Sequence, residues 1–170
     1  MGPELLLLLG FLGCGGTPME RQLPINRGRG YTTPLDTLGL ESSIRVGAAR
    51  AWEVLPAVYT DFGLTINFRE PDTKRLGTCY QTMGKRLGKE PLSTFVDCGE
   101  TRGDSNADRY DVQLIVLTTV RAGSTGEAIL STFVLGVGRD PSSSTNRRWC
   151  YSRGALEERI RAGVETKAQS

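Results

Sequence analysis

The side chains that carry most enzymatic chemistry are sparse in this chain of 170 residues, and histidine is absent from it. Without histidine there is no Ser-His-Asp or Cys-His catalytic group, no imidazole metal ligand and no imidazole switch near neutral pH. Asp97, Glu100 and Asp111 lie near a predicted loop, but no pattern brings them together as an acid and a base in a cleft. We therefore predict that the protein is not an enzyme and holds no cofactor.

Cysteine is the other residue type with distinctive chemistry, and the chain has four. Cys79, Cys98 and Cys150 lack the Cys-x-x-Cys spacing typical of redox or metal sites. Three thiols allow three different single disulfides. We favour Cys98–Cys150, because each ends a predicted strand, one beside Gly99 and the other just before a helix. Such a bridge would tie that helix to the sheet and contribute about 2–4 kcal/mol, leaving Cys79 as a buried apolar residue.

An acidic stretch at residues 104–108 has the Asp-x-Asn-x-Asp spacing that opens a calcium-binding loop, in which alternating oxygens converge on one cation. Arg109 stands in the place of the expected glycine, and Ile115 in that of the bidentate glutamate. The pattern therefore favours a solvated turn, and we predict no metal site.

Basic residues are enriched near the carboxyl terminus, although the formal net charge of +2 is too small to predict nucleic-acid binding. These arginines could face anionic lipid or an acidic partner, and a solvated helix surface explains them equally well. They are Arg139, Arg147, Arg148, Arg153, Arg159 and Arg161.

The amino terminus has the pattern of a processed segment. Residues 5–9 are consecutive leucines, an apolar run too short to span a bilayer but typical of a signal peptide. The segment Phe11-Leu12-Gly13-Cys14 resembles the lipobox of bacterial lipoproteins. This resemblance implies lipidation of Cys14, cleavage after Gly13 and, since Gly15 follows, an outer-membrane address facing the periplasm. The alternative is an ordinary secretory signal with an unmodified cysteine.

The length allows one ordinary domain. Residues 1–13 are the predicted signal peptide, and residues 14–40 the lipidated cysteine with a flexible tether, rich in Gly, Pro, Thr and charge. Residues 41–167 are predicted to form a single α+β domain, and residues 168–170 a tail.

Hydrophobic periodicity predicts one helix over 47–61 and a second over 154–167. The second has Ser152 as its predicted N-cap and Glu157–Arg161 as a stabilising pair four residues apart.

Alternating apolar residues predict the strands. They indicate a hairpin from 64–68 and 75–82, with Gly77 as a bulge, a strand over 92–98, and a longer hairpin from 110–121 and 127–138. The predicted fold is an antiparallel β-sheet with an N-terminal and a C-terminal helix packed on one face.

Three aromatic residues, Trp52, Tyr59 and Phe62, follow the apolar side of the first helix. They are candidates for lining a ligand pocket, but stripes of this kind more often pack into a core.

The domain also resembles uncharacterised bacterial envelope lipoproteins. The motifs that carry this resemblance are Trp52-x-x-Leu55-x-x-Val58-Tyr59, Asp97-Cys98-Gly99 and Cys150-x-Ser152-x-Gly154-x-Leu156-Glu157. More remotely, the order of its elements is similar to the helix-grip domains of BamC, a lipoprotein of the outer-membrane β-barrel assembly machine.

These observations predict a membrane-anchored envelope lipoprotein that acts as an interaction or scaffold module, in outer-membrane assembly or maintenance. Its expected partners are the membrane, through the lipid, and an envelope protein complex, without nucleic acid. The alternative is a periplasmic binding module for an apolar or lipidic small ligand.

Overall fold

The computed structural model describes residues 39–143 and 147–170. This part of the chain confirms the predicted α+β class, because it forms an antiparallel sheet with two helices against it. The helices are α1 (Ala48–Asp61) and α2 (Ala155–Gln169). The strands are β1 (Leu40–Ile44), β2 (Phe68–Glu70), β3 (Arg75–Met83), β4 (Arg86–Leu87), β5 (Glu90–Pro91), β6 (Val96–Asp97), β7 (Glu100–Thr101), β8 (Asp104–Ser105), β9 (Asp111–Ala122), β10 (Ala128–Arg139) and β11 (Arg147–Ser152).

The main sheet has the order β2-β3-β9-β10-β11-β6, and β1 also pairs with β10. The hairpin of β9 and β10 runs in register from Ala122 opposite Ala128 to Asp111 opposite Arg139, which confirms the longest predicted hairpin. Beyond it, β1 lies along the first half of β10 and β11 along the second half. β4 with β5, and β7 with β8, form separate two-stranded pairs.

Two predicted strands are much shorter than expected. Of residues 64–68, only Phe68 belongs to a strand. The residues before it are held beside β3 by side chains, since the Asn67 amide both accepts from the Cys79 N–H and donates to the Cys79 carbonyl, at 2.7 and 2.9 Å. Of residues 92–98, only β6 is a strand, because Leu92–Thr94 forms a 3-10 turn.

The predicted bulge at Gly77 is also misplaced. The register of β3 against β9 shifts between Thr78 and Gln81. Gly77 itself is regularly paired, and it allows the two strands to approach closely, since a Cβ atom there would lie 2.1 Å from the Val116 carbonyl oxygen. Gly77 therefore allows a close approach between the two strands and does not form a bulge.

Both helices pack on the same face of the sheet, and the main core lies between the helices and that face. α1 ends where Gly63 adopts a left-handed φ of 71°, the conformation that glycine allows most readily. The helices contact each other closely at Gly163 of α2, where a Cβ atom would lie 2.9 Å from Val58 of α1. A smaller apolar cluster of Phe68, Ile115 and Leu117 lies apart from this core, on the opposite, outer face of the sheet.

The start of α2 differs from its prediction. The N-cap is Gly154, with a φ of 81°, and not Ser152. The Ser152 hydroxyl accepts a 2.9 Å hydrogen bond from the Gly154 N–H and donates to the buried Glu157 carboxylate. Ser152 binds only Oε1 of Glu157, and the buried Oε2 has no hydrogen-bond partner in the described part of the chain, so the predicted pair with Arg161 is wrong. Arg161 pairs instead with two other glutamates of α2, Glu158 and Glu165.

Candidate functional site

A groove of about 540 Å³ lies beside β11, at the edge of the sheet where β6 covers only part of that strand. One wall is β11, and the other is the end of β6 with the turn that follows it. We call this surface the basic groove. It is lined by Asp97, Cys98, Gly99, Arg147, Arg148, Trp149, Tyr151, Ser152 and Arg153.

The Cys98–Cys150 disulfide joins the two walls of the basic groove and confirms the predicted pairing. The Cα atoms are 4.1 Å apart, and both cysteines are buried. Space for the bridge comes from two glycines of β10, since a Cβ atom at Gly136 or Gly138 would lie 3.0 or 3.2 Å from Cys150. The bridge therefore fixes the distance between β11 and the end of β6, which determines the width of the groove.

The structure separates the arginines that the sequence grouped together. Arg159 donates to the carboxylate of Glu90, with an Nη2–Oε2 distance of 2.8 Å, and its guanidinium lies 4.9 Å from the centre of the Phe95 ring. The hydrogen bond from Arg159 lowers the pKa of Glu90 and raises that of Arg159. Arg161 is bound to glutamates of its own helix. These two arginines therefore stabilise the helix and its packing.

The other arginines lie at or near the basic groove. Arg153 is paired there with Asp97 at 3.2 Å. Arg147 lies directly opposite Arg139 on one neighbouring strand, and Asp111 lies opposite Arg139 on the other, so a carboxylate accompanies these two like charges. Arg148 is exposed, and its guanidinium has no ion-pair partner in residues 39–143 and 147–170. The groove therefore combines an excess of positive charge with at least one uncommitted guanidinium.

Two aromatic side chains complete the basic groove. Trp149 is half-buried, and Tyr151, at 52% exposure, is one of the two exposed large hydrophobic side chains in the described residues. Both lie on the outer face, away from the helices. The sequence interpretation did not single them out. The signal that could have found them is their alternation with arginine and cysteine in Arg-Arg-Trp-Cys-Tyr.

The candidate ligand-facing residues lie on the other side of the sheet. Tyr59 is fully buried, and its hydroxyl is 2.9 Å from Thr118 Oγ1, which is in turn 3.0 Å from Thr132 Oγ1. Burial raises the pKa of Tyr59 well above its usual value. Trp52 and Phe62 are half-buried against the main core, and the Arg69 guanidinium lies 5.2 Å from the Trp52 ring centre. Packing therefore accounts for Tyr59, and a ligand-facing role for Trp52 and Phe62 stays a prediction.

The acidic stretch at 104–108 does not converge on a common point. Both carboxylate oxygens of Asp108 accept hydrogen bonds from Ser93, at 2.8 and 2.6 Å. Asn106 is buried and donates to the Cys98 carbonyl, while Asp104 lies 3.6 Å from Arg109. In the described part of the chain, no cluster of three or more cysteine or carboxylate side chains could hold a metal ion.

Two further cysteine predictions have different outcomes. Cys14, the predicted lipidation site, lies outside the described residues. Cys79 is half-buried on the outer face beside the smaller apolar cluster, and it is not a free thiol. The prediction that Cys79 is merely a buried apolar residue is therefore wrong.

Among the residues that the structure describes, no helix is long and apolar enough to cross a membrane. Comparison with protein-family models, curated proteins and solved structures finds no match to this chain.

Proposed function

We propose that the protein is a lipid-anchored interaction module of the bacterial cell envelope, attached through Cys14 and contacting a protein partner through the basic groove. The observation that carries this proposal is the set of exposed arginines beside two aromatic residues at the groove. Arginine, tryptophan and tyrosine are the residues most enriched at the centres of protein interfaces. Because Arg148 contributes no ion pair to the described fold, partner binding gives its position a physical reason.

The anchoring part of the proposal rests on the apolar run at residues 5–9 and on the lipobox-like segment that ends at Cys14. The resemblance to envelope lipoproteins supports a partner from outer-membrane assembly or maintenance. The competing function, a site for an apolar ligand between helix and sheet, has less support, because Tyr59, one of its three candidate residues, is fully buried with its hydroxyl beside Thr118.

Affinity purification from detergent-solubilised native membranes tests both parts of the proposal. Wild type would be compared with Cys14→Ser, Arg148→Glu and Arg45→Glu. The last is a control, because Arg45 is exposed and directly follows β1, which lies along the half of β10 that β11 does not cover. We expect the mass of a lipid on Cys14 of the wild type, and a specific partner that Arg45→Glu retains and Arg148→Glu loses.

Each part of the proposal fails separately. Recovery of Cys14 as an unmodified thiol or within a disulfide would overturn the anchor. A partner set that is the same in Arg148→Glu as in the wild type would overturn the role of the basic groove.

A further inference from the structure

The outer face of the main sheet is apolar at its centre, although both helices of the described chain pack on the other face. Ile115 and Leu117 of β9 are 7% and 4% exposed, and Leu135, which lies opposite Ile115 on β10, is 7% exposed. An antiparallel sheet with one face in water carries mostly polar side chains on that face. Because these apolar side chains are buried within a single chain, their cover comes from the chain itself and not from a second copy.

The chain must leave the plane of the sheet just before β1. β1 and β11 lie end to end along the same edge of β10, where β1 pairs as far as Thr132 and β11 pairs from Leu135 onward. A straight continuation of β1 before Leu40 would therefore meet the carboxyl end of β11. The chain bends at Gly39 instead.

The contacts at this bend favour the outer face. On the helix side, the start of α2 is in the way, since a Cβ atom at Gly154 would lie 3.9 Å from the Leu40 side chain. On the outer side, Gly39 lies directly against Ser131, because a Cβ atom at Gly39 would lie 2.5 Å from Ser131 Oγ. Ser131 is on the same face as Phe133, two residues further along β10. The way from Gly39 therefore leads toward Phe133, which packs against the smaller apolar cluster.

We propose that residues 31–38, which we call the strap, cross the outer face and cover the smaller apolar cluster. Pro34 favours an extended backbone in the strap. In an extended chain Tyr31 and Leu35 lie on one side, toward the sheet, and Asp36 lies on the other side, toward water. From β10 to β2 the strap crosses three strand spacings, about 14 Å. Its eight residues span about 26 Å when extended, which is enough for this crossing.

A segment of the same chain fits this face better than a second copy or a partner protein does. The strap is already joined to the domain at Gly39, so it covers the cluster without the loss of translational freedom that association costs. It also divides the predicted tether into two parts. Residues 31–38 belong to the domain, and residues 14–30 remain to reach the membrane, at most about 60 Å away when fully extended. The inference therefore goes beyond the proposed function, and it depends neither on the lipid nor on the partner at the basic groove.

Nuclear Overhauser effects in the methyl-labelled full chain in detergent test the strap directly. Such effects arise only between groups that lie close together in space. We expect them between the methyl groups of Leu35 and those of Ile115 or Leu117. A sample that mixes two labelling patterns separates contacts within one chain from contacts between copies.

Variants of the strap give a second measurement. Leu35→Asp should detach the strap, because burial of one leucine side chain favours the packed state by about tenfold or more. Hydroxyl-radical oxidation of Leu117, measured by mass spectrometry, should then be at least about threefold faster than in the wild type. Leu40→Asp is the matched control and should leave this rate unchanged, because Leu40 is 57% exposed and lies outside the strap. Circular dichroism would verify that both variants are folded.

Three results would overturn the inference. The first is the absence of any contact between residues 31–38 and the outer face in the wild type. The second is contact only between differently labelled copies, which would show that a second copy covers the cluster. The third is equal oxidation of Leu117 in Leu35→Asp and in the wild type, which would assign the cover to something other than the strap. None of them changes the mass of a lipid on Cys14 or the retention of a partner through Arg148, so this inference and the proposed function fail separately.

Discussion

Replacement of Cys98 and Cys150 by alanine together should destabilise the domain strongly, because their bridge closes a long loop through the core. The two cysteines are 52 residues apart in sequence. Loop-closure entropy for that separation is about 4 kcal/mol at 25 °C. Both side chains are buried, so removal of the two sulfur atoms adds a packing loss of about 1–2 kcal/mol. The expected total, about 5 kcal/mol, is a large part of the 5–15 kcal/mol typical of a folded domain.

Urea denaturation followed by circular dichroism measures this change. With a slope of about 2 kcal/mol per molar urea, the midpoint should fall by about 2 M or more. The double alanine variant removes this bridge alone, without a reducing agent that would act on every cysteine of the chain. Cys79→Ala is the matched control, because it replaces a cysteine that lies outside the Cys98–Cys150 bridge. A shift below about 0.5 M in the double variant would show that the bridge does not stabilise the fold by the expected mechanism.

Three further comparisons test the packing and the charges of the fold. In urea titrations, Tyr59→Phe should cost about 1 kcal/mol, and Thr118→Val more, because it removes the 2.9 Å partner of the buried tyrosine hydroxyl and the 3.0 Å partner of the Thr132 hydroxyl together; the opposite order would contradict this account of the network. Gly77→Ala should cost about 3 kcal/mol or more, because its Cβ would lie 2.1 Å from a backbone oxygen of β9, whereas Gly84→Ala, with nothing within 4 Å, should change stability by under about 0.5 kcal/mol. The lowered pKa of Glu90 means that its contribution is present above the ordinary value of 4.5 and is lost as the pH falls through the lower folded value. Wild type should therefore be more stable than Glu90→Gln at pH 7, and the two unfolding curves should converge in acid; a constant difference would refute the pairing.

The helices and the long hairpin were predictable because their signals are local. Apolar residues at spacings of three and four placed the first helix at 47–61, and the structure has Ala48–Asp61. Continuous alternation with apolar residues on both faces likewise identified β9, which lies in the middle of the sheet and is buried from both sides. In such segments, propensity, pattern and burial all favour the same structure.

The short strands were not predictable, because they owe their positions to distant side chains. Residues 64–67 alternate like a strand, yet the Asn67 amide takes the place of backbone pairing with Cys79. At the start of α2, the sequence offered Ser152 as a cap. That hydroxyl donates instead to the buried Glu157 carboxylate, and Gly154 is the N-cap of the helix. Competition of this kind depends on burial, which no local pattern encodes.

The sequence by itself determined the class of fold, the two helices and the central hairpin, because periodicity is read along the chain. It favoured Cys98–Cys150 among three possible bridges, and the structure made the choice. Only the tertiary structure decided which arginines stabilise the fold through ion pairs. Arg159 and Arg161 lie close to Arg148 in sequence, but the helix turns them toward glutamates of α2 and β5. The register of β11 places Arg148, Trp149 and Tyr151 at the basic groove, away from those glutamates. Among the described residues, the candidate site lies where β6 pairs only with the last two residues of β11, and the Cys98–Cys150 bridge and the left-handed turn at Gly99 follow directly after that pairing.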